Sequence, residues 1–189
     1  LAFGIADKNG NLYDNPLVVP DAFDALGERE VLNLFYTMRF KKLLSTEKSA
    51  PREMGHPFWF IDFSQGGGDI LINTGLTLKI LEWLQERSNS NVTLAGLSMG
   101  GIITRLALLY ALPENNTYNK DLAVKVKGHL TIDAPHQGAS IAWSMQQATC
   151  AIAFENNLPR VPEWNRALID WGQINSPAAH QMLYEHYYR

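Results

Sequence analysis

The chain has 189 residues, 46% of them hydrophobic and 19% charged, which suits one domain with a buried core. A formal net charge of −3 argues against a nucleic-acid binder, which carries a basic surplus or stripe. The lone Cys150 excludes an internal disulfide and a zinc site built from cysteines, and it leaves the compartment open. No stretch is long and apolar enough to cross a bilayer.

The opening "LAFGIADKNGNLYDNPLVV" alternates like a strand, and "DKNGN" within it predicts a hairpin turn. "NPLVVP", Asn15 to Pro20, is a short apolar strand bordered by prolines. From Ala25 to Leu44 the residues Leu26, Val31, Leu34, Phe35 and Met38 recur at threes and fours, predicting a helix. "STEKSAPREMGHP" is polar and broken by Pro and Gly, hence a loop. "FWFIDFS", Phe58 to Ser64, is a strand too apolar to have a solvated face. Asp69 is placed to cap a helix running to about Arg87, with Ile72, Leu76, Ile80 and Leu84 on its apolar stripe. "NVTLAGLS" is another buried strand, followed by a helix from Met99 to Leu112 that Pro113 stops. Val124 to Asp133 forms a further strand, and helices and loops follow from Gly138.

Strands that alternate with helices and lack a polar face pack into a parallel sheet covered on both sides. The fold class is therefore α/β, a three-layer sandwich around a mostly parallel sheet. Residues 1–189 are expected to form one partial domain, with 138–189 as a helical cap or peripheral segment, because both ends read as cut from something longer.

One short segment carries chemistry. In "GLSMGG" the serine Ser98 stands between Gly96 and the pair Gly100 and Gly101, where a β-branched run meets a helical one. A serine hydroxyl is a poor nucleophile and has to be offered to a base without steric cover. A cramped strand-to-helix turn does this, and its crowding excludes side chains two residues before and after the serine. The helix that starts there aims backbone N–H groups at a reacting carbonyl, with Met99 N–H as one oxyanion donor.

"GLSMGGIITRLAL", with "TIDAPHQGA" at Thr131 to Ala139 and "LVVPDAFDA" after the first apolar strand, resembles the α/β-hydrolase superfamily in its lipase- and esterase-like branch. The resemblance spans most of Leu17 to Ser140. It implies a serine hydrolase acting on carboxylic esters through an acyl-enzyme on Ser98, with an ester or lipid as the small-molecule substrate and neither cofactor nor metal. It also implies a second oxyanion amide after the first strand, assigned to Phe23, although Ala22 stands where a glycine is usual. An acyltransferase or thioesterase would use the same serine, and a non-catalytic binding protein would use the same fold.

The order expected for this fold is nucleophile, acid, histidine. Asp133, at a strand end, and His180, in the final helical stretch, are the candidates within the chain, with His186 an alternative to His180. No later strand feeds that stretch, so the acid and histidine are expected beyond Arg189. His136, in the rigid "PHQG", reads as a cleft-shaping residue, His129 as a buried strand residue, and Asp170 as a cap. His56 falls in a loop and takes no role. "FSQGGGDI" lacks the spacing of a phosphate cradle and reads as a tight crossover turn. The uncharged run after Asp133, with Trp143 and Met145, suits either a cap over an acyl chain or a core helix.

Overall fold

The computed structural model describes residues 1–24, 55–88, 90–111, 125–154 and 173–183. The helix expected over Ala25 to Leu44, most of the loop after it, Pro113, Asp170 and His186 lie outside them. The described strands are β1 (Ala2–Ile5), β2 (Leu17–Pro20), β3 (Phe58–Ile61), β4 (Val92–Leu97) and β5 (Val126–Ile132). They form one sheet in the order β1-β3-β2-β4-β5, parallel throughout except for β1, which runs antiparallel to β3.

The helices are α1 (Ile70–Arg87), α2 (Met99–Ala111), α3 (Trp143–Phe154) and α4 (Pro177–Met182). Helices α1 and α2 cover one sheet face, where Val18, Trp59 and Leu94 meet Leu78, Leu81, Met99 and Ile103. On the other face Val19, Phe58, Phe60 and Ala95 are buried too, so β2, β3 and β4 have no solvated side. This accounts for their apolar sequences, since each buried Leu- or Phe-sized side chain stabilises the fold by about 1.5–3 kcal/mol. The expected α/β class, with a mostly parallel sheet, is the observed one.

The hairpin expected at "DKNGN" does not form. A turn is there, with the Asp7 carboxylate accepting from Asn9 N–H at 2.8 Å and Asn11 N–H at 2.9 Å, and Gly10 at φ 82°. Beyond it, however, β3 separates β1 from β2. The intervening loop instead packs Tyr13 on Trp59 at 6.1 Å and on Trp83 of α1 at 6.0 Å between ring centroids. Trp59 Nε1–H donates to the Leu12 carbonyl at 2.7 Å, Trp59 and Trp83 meet edge-on at 5.2 Å, and the Arg87 guanidinium lies 3.8 Å over the Trp83 ring. The aromatic cluster ties the loop to the helix layer, which a two-strand hairpin would not do.

Helix α1 begins at its expected cap: Asp69 Oδ1 accepts from Leu71 N–H at 2.7 Å and Ile72 N–H at 3.4 Å. Its inward face is the expected one only in part: Leu84 is buried and Ile80 packs partly buried against the core, but Ile72 and Leu76 turn outward. Ile72 is 66% exposed and Leu76 50%, while Asn73, Thr74 and Thr77 are buried beside Ile70, Leu78, Leu81 and Leu84. The threonines turn inward because their hydroxyls donate to the helix's own carbonyls, Thr74 to Ile70 at 2.8 Å and Thr77 to Asn73 at 2.9 Å. A polar group satisfied in this way is buried at little cost.

Candidate active site

Ser98 joins β4 to α2 and has φ 51°, a left-handed conformation that a residue with a side chain adopts only at an energetic cost. The three neighbouring glycines are all required by contacts. A Cβ on Gly96 would run into the Gly100 carbonyl and Gly101 amide. One on Gly100 would lie 2.7 Å from the Pro20 carbonyl oxygen and 2.9 Å from that of Asp21, and one on Gly101 would lie 2.5 Å from Ala134 Cβ. The segment after β2 therefore presses on the turn at Ser98 through main chain, and the segment after β5 presses on it through the Ala134 methyl. All three stretches of sequence singled out for chemistry converge at these contacts.

Hydrogen bonds hold the arrangement. Ser98 N–H donates to Ile132 O at 2.9 Å and Gly101 N–H donates to Ser98 O at 3.0 Å. Met99 is fully buried and is the first residue of α2, so its N–H has no acceptor within its own helix. On the β2 side, Asp21 N–H donates to Ile61 O at 2.8 Å, Ala22 N–H to Asp21 Oδ1 at 2.7 Å and Asp24 N–H to Gly66 O at 3.5 Å. Phe23, between them, packs partly buried against the main core. Gly66 admits the Asp24 backbone where a Cβ would collide with the Asp24 carbonyl, so the glycine-rich turn serves this close crossing.

Asp133 follows β5 directly, exposed and at φ 48°. His136 is exposed within a turn closed by Gly138 N–H to Pro135 O at 3.0 Å. His180 lies on α4 with Nε2 3.0 Å from Asn175 Oδ1. That helix is docked by Ala178 N–H to Gly67 O at 3.1 Å, by Ile70 N–H to Gln181 Oε1 at 2.7 Å and by Ala139 N–H to Met182 O at 2.8 Å. Among the described residues no hydrogen bond joins Ser98, Asp133 and His180 to one another, and Ser98 Oγ has no hydrogen-bonded partner.

His129, expected to be buried, is exposed, because β5 has a described neighbour on one side only. Its Nε2 still lies 2.8 Å from the hydroxyl of the fully buried Thr104, which donates to Gly101 O at 3.1 Å. Partial burial holds the His129 imidazole below its usual pKa, and the charges of His136 and Arg105 act in the same direction. On α3, Gln146 is fully buried while Trp143 and Met145 are 47% and 63% exposed. Among the described residues no three His, Cys, Asp or Glu side chains gather to hold a metal ion, and no helix is long and apolar enough to cross a membrane.

Asp21 is a site-adjacent carboxylate that no motif in the sequence singles out. It is 3% exposed at the end of an apolar strand. A carboxylate set directly after "LVVP" is the signal that could have found it.

No family model matches the sequence, and no curated protein matches it significantly. Solved structures do. Lipase BlEst2 from Bacillus licheniformis in its mature form matches with a TM-score of 0.55 at 17% identity, over 97% of this chain and 60% of that one. The propeptide form of that lipase gives a TM-score of 0.55 at 16% identity, over 97% of this chain and 33% of that one. Lipase B from Aspergillus fumigatus aligns with a TM-score of 0.46 at 17% identity, over 68% of this chain and 26% of that one. The fold is of the α/β-hydrolase type, and the chain spans 60% of the mature Bacillus lipase.

Proposed function

We propose that the protein is a serine hydrolase acting on carboxylic esters, with Ser98 as nucleophile and the Met99 and Phe23 amides as oxyanion donors. The observation that carries this reading is the left-handed φ of 51° at Ser98, at a turn whose flanking glycines leave no room for a methyl group. Strain of this kind is retained where it exposes a side chain for chemistry. Ser98 Oγ attacks the ester carbonyl carbon while its proton passes to a base. The tetrahedral oxyanion collapses, expelling the alcohol, which takes up that proton. Water then attacks the acyl-enzyme, releasing the acid and restoring the hydroxyl.

Asp133 and His180 are the candidates for acid and base within the described residues. Neither is bonded to Ser98, so the reading also allows both roles to lie outside those residues. Each oxyanion donor contributes about 3–4 kcal/mol to transition-state stabilisation.

A fluorophosphonate probe applied to the full-length protein is expected to phosphonylate Ser98 with loss of fluoride, adding the mass of the probe less HF to the Ser98 peptide, and Ser98→Ala is expected to abolish ester turnover. Absence of labelling, with no ester turnover above the uncatalysed rate in either wild type or Ser98→Ala, would leave a non-catalytic binding protein as the reading, and turnover unchanged in Ser98→Ala would rule out Ser98 as the nucleophile. Acyl transfer to an added alcohol or thiol, compared with transfer to water, separates an acyltransferase from a hydrolase.

A further inference from the structure

Asp21 is 3% exposed among Val18, Val19 and Ala22, none more than 4% exposed, at the point where β2 leaves the sheet. A carboxylate so buried is costly unless its oxygens are hydrogen-bonded. Oδ1 accepts from the next amide in the chain, Ala22 N–H, at 2.7 Å. The same residue is fixed at two further points. Its N–H donates to Ile61 O at 2.8 Å, and its carbonyl oxygen lies 2.9 Å from where a Gly100 Cβ would stand. The loop is thus pinned to β3, to the first turn of α2 and, through the side chain, to itself. Its far end is closed by Asp24 N–H to Gly66 O at 3.5 Å.

From this geometry we infer that Asp21 is a positioning residue, whose carboxylate accepts from and holds the Ala22 N–H and so sets the direction in which the next peptide presents Phe23 N–H to the oxyanion. The inference rests on the ester-hydrolase reading above. The carboxylate acts as a hydrogen-bond acceptor of fixed length and direction, and its charge plays no part in the step. A donor misplaced by about an ångström loses most of its effect on the transition state while leaving substrate binding nearly intact.

The test compares Asp21→Asn and Asp21→Ala in the full-length protein on a p-nitrophenyl ester, with kcat counted per serine titrated by a fluorophosphonate so that misfolded molecules drop out. Asparagine keeps an acceptor in the same place and is expected to retain kcat within about threefold. Alanine is expected to lower kcat at least about tenfold at an unchanged KM. Wild-type kcat in Asp21→Ala overturns the inference, as does an equal loss in both variants, which would mean that charge is what matters. Should Asp21→Ala fail to fold, Asp21→Asn decides alone: retained kcat supports the inference and a tenfold loss overturns it. Ser98→Ala is run beside them. If it keeps full turnover, the hydrolase reading falls and this inference with it, whereas Ser98-dependent turnover indifferent to Asp21→Ala sinks only the role given to Asp21.

Discussion

On the β2 side of β4, main chain meets main chain where Gly100, itself pressed against Gly96 within the turn, abuts the carbonyls of Pro20 and Asp21, and the side chains around them are buried to within a few per cent. On the β5 side the contact is looser. Leu130, in register with Ala95, is 54% exposed, His129 is exposed, and Trp143 and Met145 of α3 face outward. Ser98 belongs to both sides, since its N–H bonds to Ile132 and the carbonyls of the β2 loop rest on Gly100. The difference teaches that the serine's posture is set by backbone collision on one flank, where any added atom is felt. On the other flank it is set by hydrogen bonds and one methyl contact, which leave room for change.

The largest effect that would sharpen this contrast comes from Gly96→Ala. The added methyl meets backbone that has nowhere to go, so a loss of about 2–3 kcal/mol is expected, together with loss of Ser98 phosphonylation. Denaturant unfolding measures the first quantity, and an unchanged midpoint would break the contrast.

An intermediate effect is expected from Asp69→Ala, on the buried flank but away from the glycines. Loss of the cap costs about 1 kcal/mol near neutral pH. Hydrogen bonds from Gln181 first, then from the Leu71 amide, hold the Asp69 carboxyl below its ordinary 3.8, with the Ile72 amide acting in the same direction. A carboxyl with a lowered folded pKa contributes in full above its unfolded value, and the contribution is lost as pH falls through the folded one. The gap between wild type and variant should therefore close on acidification below the carboxylate range. A gap that persists there would show that Asp69 acts through packing rather than charge.

The smallest effect is expected on the open flank. Met145→Gln changes a side chain that is 63% exposed and should move stability by no more than about 0.5 kcal/mol. A loss well above about 1 kcal/mol on thermal unfolding would mean that this face is covered in solution.

What could be read in advance follows the range of the forces involved. The crowding of Gly96 against Gly100 and Gly101 is local, so "GLSMGG" announces it, whereas the Pro20, Asp21 and Ala134 atoms that also close on the turn come from far along the chain. The cap at Asp69 is local too, and α1 starts where the sequence places it. The partner of β1 is a long-range choice, and neighbours in sequence suggest a hairpin that β3 in fact interrupts. The inward face of α1 is legible at Ile80 and Leu84 but hidden nearer its start, because Thr74 and Thr77 satisfy their hydroxyls on the helix backbone, which a count of apolar positions does not register. The groups that would serve Ser98 as base and acid were illegible for a different reason. Such groups converge from separate strand ends, and spacing along a chain does not encode distance across a sheet.

The edge-to-face indoles of Trp59 and Trp83, one on the sheet and one on α1, have an optical consequence. Two such chromophores about 5 Å apart share their excited states, so the pair carries a coupled ultraviolet signal that exists only while α1 lies on the sheet. Separation of the two layers would extinguish that signal even with both elements intact, giving the protein a built-in gauge of interlayer contact that needs no label.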